Sequence, residues 1–416
     1  MSITAIKGMN DILPGEIETW QFLETTARQV FGAYGFSEIR TPAVEKTELF
    51  CRSIGETTDI VEKEMYTFDD KSSNSLTLRP EGTAPVMRSF IQNKLHTLDP
   101  VSKLYYTGPM FRYERPQKGR YRQFHQIGAE VLGVEDAKID AQVLAMLHQY
   151  FQEIGIQSVS LQVNSLGCPE CRPAYRQQLI DYLEERLDRL CDDCKRRYQT
   201  NPLRVLDCKV AGCKEATVDA PAMLEHLCNG CDEHFTTVKR HLNALEIPFA
   251  VNSRMVRGLD YYVRTTFEMV TDQLGSQNAV AAGGRYDGLV ESLGGPALPG
   301  IGFAIGVERL VLMKGDEKVA PEVPKLFIAA LGAKAQDEAF LLMSRLQAAG
   351  VRAEMDYQGK SLKAQMRRAN KLNAEYTLIL GEDELNAGCA QLKNMADSSQ
   401  QEVALTQLAE VLATAG

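Results

Sequence analysis

Residues 17–34 place apolar or small side chains at Trp20, Leu23, Ala27, Val30 and Phe31, a spacing that predicts an amphipathic helix. Gly32 and Gly35 are expected to break it. Phe36, Ser37, Glu38, Ile39 and Arg40 then alternate, which predicts a strand ended by Pro42. Two further strands are predicted over 103–111 and 121–132, joined by a loop holding Pro116 and Gly119. Between Cys168 and Cys231 the texture changes, and Leu179, Leu183, Leu187 and Leu190 predict a helix there. That window looks inserted, because a strand pattern resumes at Thr265. A polar linker follows, Lys314-Gly315-Asp316-Glu317-Lys318, with Pro321 and Pro324 after it. Beyond it, apolar runs at 326–331 and 376–380 alternate with helical patterns at 336–349 and 361–372, which predicts a separate α/β domain.

Composition narrows the class. The chain has 416 residues, too many for one ordinary core, so two or three domains are expected. With 44% hydrophobic and 24% charged residues it reads as a soluble globular enzyme. Its net charge of −9 means that any nucleic-acid contact must come from local basic patches. No apolar run reaches membrane-spanning length, and residues 1–16 lack the apolar core of a signal peptide. A cytoplasmic location is therefore expected, in which the 10 cysteines are reduced.

Eight of those cysteines form four spaced pairs: Cys168 with Cys171, Cys191 with Cys194, Cys208 with Cys213, and Cys228 with Cys231. These are zinc-ligand spacings. Eight thiolates suit two tetrahedral zinc ions, or one ion with four cysteines to spare. Reduced half-buried thiols and redox-active pairs are the other two readings.

Candidate chemistry sits elsewhere. On the strand over 121–132, Phe124, Gln126, Gly128, Glu130 and Leu132 share one face. Gln126 and Glu130 then flank a residue without a side chain, leaving a polar notch for a ligand with a hydrogen-bond donor. A half-exposed strand face explains the same pattern. The loop 112–122 holds Arg112, Arg115, Lys118, Arg120 and Arg122 against one acid, Glu114, with Tyr113 and Tyr121 interleaved. Cations beside stacking surfaces suit phosphates and bases. Upstream, Glu81 and Thr83 lie around Gly82, where a buried carboxylate would hold an ammonium group.

Three arginine segments run in order along the chain. They are Phe111-Arg112-Tyr113-Glu114-Arg115-Pro116, Val256-Arg257-Gly258-Leu259-Asp260-Tyr261-Tyr262 and Gly306-Val307-Glu308-Arg309-Leu310. Together they resemble the histidine–tRNA ligases, which are class II aminoacyl-tRNA synthetases. The segment Ala282-Gly283-Gly284-Arg285-Tyr286-Asp287-Gly288 is similar to another found in histidine-specific members, and residues 7–14 look like their N-terminal segment. The helix, strand and closing Pro42 near the N-terminus resemble the class II dimer-interface motif.

The resemblance implies an α+β fold: an antiparallel-sheet catalytic core, a helical insertion and a C-terminal α/β anticodon-binding domain. Boundaries are expected at 1–165 and 246–318 for the core, 166–245 for the cysteine-rich insertion and 325–416 for the anticodon-binding domain. It implies a homodimer that activates histidine with ATP and Mg2+ and passes it to the 3′ end of tRNA(His). Arg257 and Arg112 would be catalytic, with Arg112 on the α-phosphate. Arg309 would pack on adenine. Glu81, Thr83, Gln126, Glu130, Tyr261 and Tyr262 would line the histidine pocket. Alternation along a strand begun this early would put the two tyrosines on opposite faces, leaving one only to support the wall. In the last domain, Lys360, Lys363, Arg367 and Lys371 fall on one helix face. The resemblance supplies no metal for the cysteine window.

Two other classes compete. The histidine-binding regulatory subunit of ATP phosphoribosyltransferase is similar in its core but typically lacks the anticodon domain. A zinc-dependent nucleic-acid-binding or redox protein leaves the arginine segments unexplained.

Overall fold

The computed structural model describes residues 3–55, 58–257, 259, 261–274, 278–315, 317 and 319–414. Gly258 and Asp260 of the second arginine segment, and Asp316 and Lys318 of the linker, lie outside the described residues. The chain forms two compact units, 1–319 and 320–416.

The first unit is built on an eight-stranded sheet. Its strands run in the order Ser37–Glu38, Ser102–Phe111, Gln123–Leu132, Gly300–Gly306, Ala279–Arg285, Val263–Val270, Ser160–Ser165 and Phe249–Val251. The six central strands pair antiparallel, and only the two edge strands pair parallel. One face is covered by the helices Ile17–Ala33 and Ala137–Glu153. Trp20, Leu23, Ala27, Val30 and Phe31 meet Leu144, Leu147, Tyr150, Ile127, Phe303 and Phe267 in the main core. Asp136 caps the second helix by accepting from the Lys138 amide at 2.9 Å.

Two local expectations are corrected. Gly32 lies inside the first helix, and the chain turns at Gly35, whose φ of 82° favours glycine. In the cysteine window the helix stops at Glu184, and Leu187 belongs to a separate short turn. There the Arg186 guanidinium donates to the Tyr182 carbonyl at 2.9 Å and covers the Tyr182 ring, replacing the next helical hydrogen bond. Residues of the window form their own small cluster around Tyr175, Leu179, Leu183, Leu190 and Val205.

The second unit is a five-stranded sheet in the order Ala353–Met355, Leu326–Ala330, Tyr376–Leu380, Cys389–Asn394 and Gln400–Ala404. The first three are parallel and the last two antiparallel, with the helices Ala333–Ala348 and Leu362–Lys371 packed on it. Gln365 locks the latter helix in place: it accepts from the Ala330 amide at 3.0 Å and donates to the Ala330 carbonyl at 2.8 Å. Lys363, Arg367 and Lys371 stay exposed on this helix, whereas Lys360, expected on the same face, is exposed but precedes the helix. No described helix is long and apolar enough to cross a membrane.

Candidate active site

A cleft opens over the face of the large sheet opposite the main core. It is lined by Glu81, Thr83, Arg112, Arg120, Gln126, Arg257, Tyr261, Tyr262 and Arg309, among others. Of the residues expected to bind histidine or ATP, Glu130 is the one that does not line this cleft; it lies behind Thr83, whose hydroxyl it accepts from.

The cationic side of the cleft is set by three elements. Arg112 ends the strand Ser102–Phe111, and its Nε donates to the Pro80 carbonyl at 2.9 Å while the guanidinium covers the Phe124 ring. The following loop returns on itself through the Gln117–Arg120 bridge and is pinned by the N-terminal segment. There the Gly8 carbonyl accepts from the Arg122 amide at 2.7 Å, and Gly8 has φ of 87° in close contact with Pro116. Arg309 lies in the helix Val307–Lys314 and donates to the Ala279 carbonyl. Burial, followed by repulsion from Arg120 and Arg112, lowers the Arg309 pKa. A polyanion entering the cleft would relieve that repulsion.

Arg257 stands on the other wall, paired with Glu268 and 5.4 Å from the Tyr262 ring centre. Burial works against its charge, but Tyr262 and Glu268 outweigh it and raise the pKa. Among the described residues its Nε is buried with no hydrogen-bond partner, as is the Oε1 of Gln126. Both residues line the cleft.

The two tyrosines correct an expectation. The strand begins only at Val263, and both rings precede it, with centres 4.6 Å apart. Arg264 adopts φ of 49°, and the pairing skips from Val263 opposite Arg285 to Thr266 opposite Gly284. Because neither tyrosine belongs to the strand, its alternation does not extend to them, and both line the cleft.

The polar notch beside Gly128 is also not open. Tyr106 fills it: its ring lies between Gly82 and Gly128, where an added Cβ would come within 2.1 and 2.3 Å of it. Nor is the face solvated, since Glu130 is fully buried. Its carboxylate accepts from the Thr83 hydroxyl at 2.7 Å and from the Tyr286 hydroxyl. Burial pushes its pKa up to about 8; these two donors lower it, and the nearby Glu81 raises it further. Glu81 accepts from the amides of Thr83 and Ala84 at 2.6 and 2.9 Å, at the start of the helix Thr83–Gln92. Burial still raises its pKa. Two buried carboxylates side by side make a site that favours a cation or a hydrogen-bond donor.

Sequence reasoning assigned no role to Tyr106, Tyr286, Asp140 or Glu308. Tyr286 orients Glu130, and the fully buried Arg285 beside it pairs with the equally buried Asp140 at 3.2 Å. Glu308 accepts from the His125 amide at 2.8 Å, fixing the helix that carries Arg309. For Tyr286, the available signal was its place in the glycine-rich segment 282–288.

Comparison with known proteins gives the same frame. A family model described as histidyl-tRNA synthetase matches residues 8–310, and one described as an anticodon binding domain matches residues 325–414. A histidine–tRNA ligase of Syntrophotalea carbinolica is 71% identical over 412 residues, covering 99% of this chain and 98% of that protein. One of Geobacter sulfurreducens is 69% identical over 404 residues, covering 97% of this chain and 98% of that protein. Among solved structures, apo S. aureus histidyl-tRNA synthetase is 36% identical with a TM-score of 0.84, covering 99% of this chain and 100% of that one. On these similarities the chain belongs to the histidyl-tRNA synthetase family.

Proposed function

We propose that this protein joins L-histidine to tRNA(His) in two steps, by forming histidyl-adenylate from histidine and ATP and then transferring the histidyl group. The observation that carries this reading is one cleft holding Arg112, Arg257 and Arg309 beside Glu81, Gln126 and two tyrosines. A triphosphate and a zwitterionic amino acid need that pairing of charges. The regulatory-subunit alternative is not favoured, because a ligase matches at 71% identity over nearly the full chain.

In the first step a histidine carboxylate oxygen attacks the α-phosphorus. The new O–P bond forms as the bond to pyrophosphate breaks, giving the mixed anhydride. Negative charge grows on the α-phosphate oxygens, and Arg257 and Arg112 are suited to stabilise it selectively. Glu268 and the Tyr262 ring hold Arg257 in advance, which spares reorganisation during the reaction. Arg309, lining the same cleft, is suited to a planar contact with adenine. ATP arrives as its Mg2+ complex, and that ion neutralises phosphate charge as part of the substrate.

Glu81, Thr83 and Gln126 line the side of the cleft suited to the α-ammonium group, with Tyr261 and Tyr262 as its wall. Glu130, held by Thr83 and Tyr286, would accept from an imidazole N–H once Thr83 yields. In the second step a terminal tRNA hydroxyl attacks the anhydride carbonyl and AMP leaves. The α/β unit matching the anticodon-binding model is the partner surface for the far end of that tRNA.

A cytoplasmic homodimer is part of the same reading. The segment 17–42 resembles the class II dimer motif, and its strand Ser37–Glu38 is an edge of the large sheet. ATP–pyrophosphate exchange that depends on histidine, followed by charging of tRNA(His), tests the proposal. Histidine binding without exchange would instead support the regulatory reading.

A further inference from the structure

The four cysteine pairs do not cluster in chain order. Cys168 and Cys171 meet Cys228 and Cys231, whereas Cys191 and Cys194 meet Cys208 and Cys213. Within each group the four sulfur atoms all lie within 4.8 Å of one another. Each group has two buried and two half-buried members, so its centre is shielded yet reachable.

The spacings discriminate between chemistries. The Sγ of Cys168 is 3.7 Å from those of Cys171 and Cys228, Cys171 is 3.9 Å from Cys231, and Cys191 is 3.9 Å from Cys208. A disulfide would need about 2.05 Å. Thiolates held at about 2.3 Å around one tetrahedral zinc ion lie about 3.8 Å apart. An iron–sulfur cluster interposes several irons and sulfides and needs a wider cage. In each group backbone amides also donate to sulfur, among them Cys168 to Cys171 and Cys191 to Cys213, both at 3.1 Å. Such bonds favour thiolate charge.

The surrounding structure needs a clip. Helices Asp192–Arg197, Leu203–Leu206 and Ala211–Ala216 have six, four and six residues. Helices so short do not persist without tertiary anchors. Their shared core is small, and a metal that binds only the folded form adds its binding free energy to folding.

We propose that the segment 168–231 binds two structural zinc ions, one in each tetracysteine group, and that the first of them supports the histidine pocket. That first site ties the two ends of the window together beside the active-site wall. Arg172, the residue after Cys171, donates to the Leu166 carbonyl at 2.9 Å and to the Tyr262 carbonyl. The Leu166 amide donates to the Arg264 carbonyl at 2.7 Å, and the Arg264 amide to the Gly167 carbonyl at 2.8 Å. These bonds brace the bulge that presents Tyr261 and Tyr262. Zinc binding itself requires no catalytic activity, so it stands or falls separately from the proposed reaction.

Elemental analysis of the full-length protein, purified without chelator, should find two zinc ions per chain. Titration with a mercurial should release both, read with a metallochromic dye. Zinc-free folded protein with all eight thiols open to titration, one ion per chain, or iron in place of zinc would each overturn the assignment. The double variant Cys191→Ser/Cys208→Ser should retain one zinc and near-parental histidine-dependent exchange. Cys168→Ser/Cys228→Ser should also retain one zinc but raise the KM for histidine about tenfold or more, the scale of a displaced binding wall. An unchanged KM in that second variant would overturn the supporting role while the zinc count still tests the sites.

Discussion

Gly302 stands directly across the strand ladder from Glu130, and a β-carbon on it would lie 1.8 Å from the Glu130 carboxylate. The absent side chain is what lets a carboxylate lie flat within the sheet, under Thr83 and Tyr286. Gly302→Ala should therefore displace Glu130, because the Ala129 carbonyl would also crowd the new methyl at 2.6 Å. Histidine affinity is expected to fall by about 10-fold to 100-fold, the scale of losing a buried charged hydrogen bond. ATP affinity should change little. Calorimetric titration of both ligands checks this, and equal losses would point to general misfolding.

Glu130 itself should show opposing effects on stability and binding. Its folded pKa of about 8 lies above the ordinary carboxylate range, so the native state keeps its proton at pH values where the unfolded carboxyl has already lost it. That contribution is fully present below the ordinary value and is lost as pH rises toward 8. Glu130→Gln removes the cost of burying a charge. Its Tm relative to the parent should thus increase between pH 5 and pH 8, by a few degrees. Histidine binding should weaken far more than ATP binding. A pH-independent Tm difference would show that Glu130 is not the titrating group.

The parity of Gln126, Gly128 and Glu130 could be read from the strand pattern, as could the alternating elements of the last domain. What filled the spaces could not. Tyr106 enters the Gly128 notch from the neighbouring strand, and single-strand periodicity carries no information about its partner's side chains. Opposite faces for the tyrosine pair depended on a strand that began before them, and the strand begins only at Val263. Spacing identified the cysteine pairs, but the union of the first pair with the last depends on how the window closes in space. The arginine segments were legible through resemblance, whereas the Glu268 partner of Arg257 required the folded sheet.

Arg257→Ala should depress histidine-dependent pyrophosphate exchange by about 100-fold or more, as expected for loss of one oriented transition-state donor. Histidine binding should suffer much less, because the proposed contact strengthens only as the α-phosphate gathers charge. Removal of the guanidinium also leaves Glu268 without this partner, so Arg257→Ala/Glu268→Gln provides a control. The double variant should fold as the parent does and remain equally slow. Recovery of exchange in it would assign the defect to the stranded carboxylate and remove Arg257 from the catalytic role.

The last prediction separates the C-terminal unit from the chemistry. Residues 320–416 form a compact unit, and 325–414 match an anticodon-binding model. Gln365 faces inward and grips Ala330, which leaves Lys363, Arg367 and Lys371 on the exposed side of their helix. Three cations on one rigid face suit a phosphate backbone. Replacing all three with Ala should weaken tRNA(His) binding and flatten its salt dependence, because fewer counterions are released on binding. The slope of log K against log salt should lose up to about three units of phosphate neutralisation. Adenylate formation is proposed for the cleft of the first unit, so pyrophosphate exchange should stay near the parental rate. Unchanged tRNA affinity across a salt series would mark this helix as a solvated face. The anticodon contact would then belong to the strands or loops of the same sheet.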